Sequence, residues 1–84
     1  MPSKTITAEA IHRDRLASAW CRASVAAQRL ATDASVMVST FNRGNTPTEG
    51  QTRDVEGAMA DLLDAMATIK TEQGALDAIG RSNP

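Results

Sequence analysis

Aromatic side chains are nearly absent from this sequence: one Trp, one Phe and no Tyr, 2 % of 84 residues. A core must therefore be assembled from Leu, Ile, Val, Met and Ala. Strand-forming residues are correspondingly thin, while Ala, Leu, Met, Arg, Gln and Glu all favour helix. Cysteine is limited to Cys21, which excludes an internal disulfide, a thiolate zinc site and a redox pair, and points to an intracellular setting. No run of about 18 apolar residues occurs, and no basic leader followed by an apolar stretch, so the expectation is a cytoplasmic chain with no membrane association. Histidine is limited to His12. A histidine-rich metal site and the Glu-x-x-His pairs of di-iron bundles are excluded with it. In the densest acidic group, Asp54, Glu56, Asp61 and Asp64, Asp61 and Asp64 share one helical face, on the side away from the apolar positions, where carboxylates are ordinarily solvated. No metal or cofactor is expected.

What the sequence does contain is periodicity. Apolar residues recur at alternating steps of four and three through Leu16, Trp20, Ala23, Ala27, Leu30, Ala34, Met37 and Phe41. A second series runs through Val55, Met59, Leu62, Met66, Ile69, Gln73 and Leu76, interrupted by the polar Gln73, with Leu63 and Ile79 widening its apolar side. Each is a heptad seam that calls for a helical partner.

The stretch GNTPTEG, beginning at Gly44, separates the two seams. Asn42 and Gly44 suit the end of a first helix, because glycine tolerates the left-handed conformation that follows the last turn. Thr46 as N-cap, Pro47 at the first helical position and Glu49 three residues after the cap then predict the start of a second. Upstream, Thr7 can cap the first helix with Glu9 in its first turn, and Ile6 and Ile11 stand at the positions of a hydrophobic staple. Gly80 can close the second. The expected chain is a single helical domain, 1–84: helix one over 8–43, a turn at 44–46, helix two over 47–79 and a tail at 80–84. Each helix is about 50 Å long at roughly 1.5 Å per residue.

The fold class is therefore all-α, a long antiparallel hairpin. Two helices leave much of both stripes wet, so dimerisation into a four-helix bundle is expected. The alternative is a break near Asp33 or Gly74 that folds the chain into a compact three- or four-helix monomer. Charge agrees with an antiparallel hairpin: residues 1–43 hold six basic and three acidic side chains, and 44–84 hold three and seven.

No glycine-rich phosphate loop, Gly-x-Ser-x-Gly elbow or His-Glu-x-x-His run is present, and Cys21 and His12 fall on different faces of one helix, so enzymatic activity is not expected. Outside the first seam, Arg15, Arg22 and Arg29 recur every seven residues, with Val25 between the last two and Val36 at the next heptad position. Such a mixed stripe suits a protein interface, and these five residues are the candidate partner-binding set. The candidate helix-packing and dimer set is Leu16, Trp20, Ala23, Ala27, Leu30, Met37, Phe41, Met59, Leu62, Leu63, Met66 and Ile69.

The leading expectation is a small non-enzymatic protein-binding module. Its seven Arg against two Lys, together with many Ala, fit a GC-rich bacterial or phage genome, and hence a phage or mobile-element inhibitor or modulator of a host bacterial protein. In layout alone the hairpin is similar to the small RNA-binding hairpin dimers that regulate plasmid copy number. That resemblance implies nucleic-acid binding through the same arginines, a second expectation that the acidic second half opposes. A structural or assembly role is the third.

Overall fold

The computed structural model describes residues 7–82. They form two helices, α1 (Ala8–Asn42) and α2 (Glu49–Ser82), packed against each other as a hairpin. Neither Asp33 nor Gly74 interrupts its helix, so the compact three- or four-helix alternative is not adopted. One glycine costs only about 1 kcal/mol relative to alanine in a helix interior, too little to break a long helix packed along its length. The hairpin is a slab of 65 × 29 × 15 Å, one helix thick.

The ends of the helices follow from local chemistry. The Thr7 hydroxyl accepts the Ala10 N–H at 3.1 Å and caps α1. Ile6, the outer half of the expected staple, lies outside the described residues. At the far end Gly44 takes φ 79°. Its N–H donates to the Phe41 carbonyl at 2.9 Å, and the Asn45 N–H donates to the Thr40 carbonyl at 3.1 Å. This pair of bonds is the Schellman motif, and it requires a residue at ease with positive φ. α1 thus ends one residue before the expected position 43.

The start of α2 differs from expectation. It begins at Glu49 and not at Pro47, and its cap is Thr48 and not Thr46: the Thr48 hydroxyl accepts the Gln51 N–H at 3.1 Å, and the Gln51 side-chain carbonyl accepts the Thr48 N–H at 2.9 Å. The capping pattern occurs twice in overlapping registers, Thr46 with Glu49 and Thr48 with Gln51. The second wins because it also ties the turn to α1, through the Gln51 amide, which donates to the Thr40 hydroxyl at 3.3 Å. It leaves Glu49 in the first turn, where the helix dipole favours a negative charge. At the other end α2 runs through Gly80 to Ser82, so Gly80 does not terminate it and the expected tail at 80–84 begins as helix. The Ser82 hydroxyl there donates to the carbonyls of Ala78 and Ile79, at 3.1 and 3.0 Å.

The helices meet along a seam of small residues. Ala19, Ala58 and Ala65 are wholly buried, and Ala23 and Ala26 nearly so. Leu16, Leu30 and Met37 on α1, and Val55, Leu62, Ile69 and Leu76 on α2, are half-buried beside them. Half of the expected seam is thus displaced by one position: 19 and 26 face α2 where 20 and 27 were expected, and 58, 65 and 72 face α1 where 59, 66 and 73 were. One residue is about 100° of helix rotation. Alanine lets the backbones approach closely, and the larger Trp20, Phe41, Met59 and Met66 are turned to the flank. They remain exposed, Trp20 and Phe41 at 59 % each. Among the described residues no large side chain is fully buried.

Candidate interaction faces

Because the hairpin is one helix thick, it has two broad faces, and their chemistry differs. On one, the flank residues of both helices border an open groove of about 820 Å³, whose lining includes Trp20, Ala23, Ser24, Ala27, Leu62, Met66 and Ile69. Lys70, Gln73 and Asp77, on the half of α2 nearer the open end of the hairpin, line it too. Leu63, at 63 % the most exposed of the large apolar side chains, and Met59 extend this apolar surface along α2. Contiguous apolar surface of this kind marks an interaction site more often than isolated exposed residues do.

The opposite face is ionic. Arg29 Nη1 lies 2.8 Å from Asp61 Oδ2, and Arg22 Nη1 lies 3.4 Å from Asp64 Oδ2. Both pairs border a shallow cavity of about 290 Å³ with Cys21, Val25 and Ala26. Folding the sequence about its turn brings these arginines level with these carboxylates, so Asp61 and Asp64 bridge the helices and are not simply solvated. Val25 and Val36 remain exposed. Of the five residues expected to bind a partner, the three arginines are therefore engaged with α2, and the two valines are free to make new contacts.

Arg15 belongs to a third cluster that the periodicity does not reveal. Its Nη1 is 3.9 Å from Glu72 Oε1, and the other oxygen of Glu72 meets His12 Nδ1. Glu72 is 8 % exposed and stands in the displaced seam, in line with Ala58 and Ala65. A buried carboxylate requires partners, and here both come from α1. The sequence signal was available: once the helices are antiparallel, the only histidine falls opposite Glu72.

Among the described residues no group of three or more His, Cys, Asp or Glu side chains could hold a metal ion. Among the same residues, no helix is long and apolar enough to cross a membrane. Comparison with protein-family models, with curated proteins and with solved structures gave no match.

Proposed function

We propose that this chain is a small non-enzymatic protein-binding module that works as a homodimer. The observation that carries the reading is the segregation of the two faces, one apolar and open, the other ionic with paired charges. A helical hairpin whose buried seam is mostly alanine gains little from burial within itself, since the gain scales with apolar area removed from water. Covering the groove with another hairpin closes a four-helix bundle and supplies the missing core. The ionic face is then left outward. There Arg22 and Arg29, paired with Asp64 and Asp61, stand beside Val25 and, one heptad on, Val36, a mixed surface of the kind that protein interfaces favour. The composition makes a host bacterial protein, bound by a phage or mobile-element product, the expected target.

Nucleic-acid binding is the weaker reading, because the carboxylates beside Arg22 and Arg29 oppose the uninterrupted positive surface that phosphate binding uses. The test is affinity capture with tagged protein from a bacterial lysate, with and without nuclease, using the wild type and the Val25→Asp, Val36→Asp double variant. A stoichiometric protein that survives nuclease and is lost with the double variant, at unchanged helix content and dimerisation, is the expected result. Loss of every partner on nuclease treatment would establish the nucleic-acid reading instead.

A further inference from the structure

We infer that two copies stack apolar face on apolar face about a two-fold axis running along the hairpin, so that both turns lie at the same end and α1 of each copy covers α2 of the other. The inference rests on the homodimer reading above and specifies its geometry. Area permits it. The groove of about 820 Å³ and the exposed Met59 and Leu63 beyond it give that face a long apolar surface, on a hairpin whose length of 65 Å leaves room for the ~800 Å² per partner of an ordinary stable interface.

The two flanks of that face are unlike, and this decides the orientation. On α1 the outermost heptad column on the groove side is small: Ala17, Ser24 and Ala31, ending in Val38. On α2 the matching column is long: Glu56, Leu63, Lys70 and Asp77. Laying α1 over α2 of the second copy sets long side chains against short ones, which fills space without forcing rotamers. Level by level, the Arg29–Asp61 pair aligns Ala27 and Ala31 with Met59 and Leu63, while Trp20 and Met66 share the central groove.

Charge agrees. Arg13 and Asp77 border one cavity of about 300 Å³ at the open end, so they stand at the same level. A two-fold axis along the hairpin carries Arg13 of each copy over Asp77 of the other. Arg13 also meets Glu9 at 2.8 Å within its own helix, but a guanidinium has five donors and can serve both. The alternative axis, across the hairpin, places the turns at opposite ends and lays α2 on α2. It sets the long column against itself, bringing Glu56 toward Asp77 and leaving the small column of α1 facing its own copy. Like charges and a void both count against it.

The experiment uses the full chain carrying Cys21→Ser and Asn45→Cys, with a spin label on the turn. Sedimentation equilibrium first establishes the stoichiometry, and a monomer at every concentration overturns the homodimer reading and this inference together. For a dimer, turns at one end give a label separation of two to three helix diameters, on the order of 20–30 Å. A separation near the 65 Å length of the hairpin overturns the orientation while leaving the dimer standing. Leu63→Glu, at a site already exposed within the hairpin, is expected to weaken dimerisation at least tenfold, compared with the wild type at protein concentrations where both remain helical. Unchanged dimerisation of that variant places the interface on the other face and overturns the inference.

Discussion

Glu72 occupies a seam position whose counterparts one and two heptads earlier are alanines, and its neighbours explain how a carboxylate is kept there. His12 and Arg15 both reach it from α1. The two ends of the contact are not equivalent. His12 retains 26 % of its side-chain exposure and can hydrate when its partner is lost, whereas Glu72 is buried and cannot. His12→Ala is therefore expected to lower unfolding stability by about 1–3 kcal/mol, the cost of leaving a buried carboxylate with only the more distant Arg15, at 3.9 Å. Glu72→Leu, which removes the carboxylate altogether, should cost less and can be neutral. Urea denaturation of both variants at one protein concentration checks the order; equal losses would mean that the pair acts through packing and not through charge. The arginine pairs on the ionic face differ, since all four side chains are more than half exposed. Exposed pairs of this kind contribute about 0–1 kcal/mol, so Arg22 and Arg29 bear more on the character of the surface than on stability.

At the scale of the element, the start of α2 offers a sharp comparison. Thr46 and Thr48 both begin a capping pattern, yet only Thr48 closes its box. Thr48→Ala should cost about 1 kcal/mol and Thr46→Ala within roughly 0.5 kcal/mol of nothing, measured as the shift in urea midpoint. Equal effects would return the cap to the earlier register. The same region marks what the sequence could disclose. Helix class, the position of the turn and the role of Gly44 follow from residues whose physics is local, and the structure agrees with them. The facing of the helices does not follow so directly. Periodicity reports that a stripe is apolar, and the seam built from Trp20, Phe41, Met59 and Met66 follows the bulkiest residue of each turn. The apolar stripe is wider than one partner can cover, and the alanines at its inner edge permit the closest approach. Leu16, Leu30, Leu62 and Ile69 lie in both versions of the seam, which is why the expected pattern is half in place. The Arg15, Arg22 and Arg29 stripe was equally legible as a pattern, but its partners depend on how α2 is aligned, which only the folded hairpin fixes.

For the whole molecule, the small buried core carries a thermodynamic consequence. Burial contributes about 25 cal/mol per Å² of apolar area, and alanine offers the least area of the apolar side chains that fill this seam. Ordering each residue, meanwhile, costs on the order of 1–2 kcal/mol of backbone entropy. A hairpin with Ala19, Ala58 and Ala65 at its centre and Trp20, Leu63 and Met66 exposed is therefore marginal alone. If a second copy supplies the missing burial, folding and association become one process, and apparent stability depends on protein concentration. A hundredfold increase in concentration then contributes about 2.7 kcal/mol per dimer, enough to raise the melting temperature by several degrees in a chain of this size. Thermal melts followed by circular dichroism between micromolar and sub-millimolar protein test this. A cooperative melt whose midpoint stays fixed across that range would make the isolated hairpin self-sufficient. Its apolar face would then be free for a partner other than its own copy.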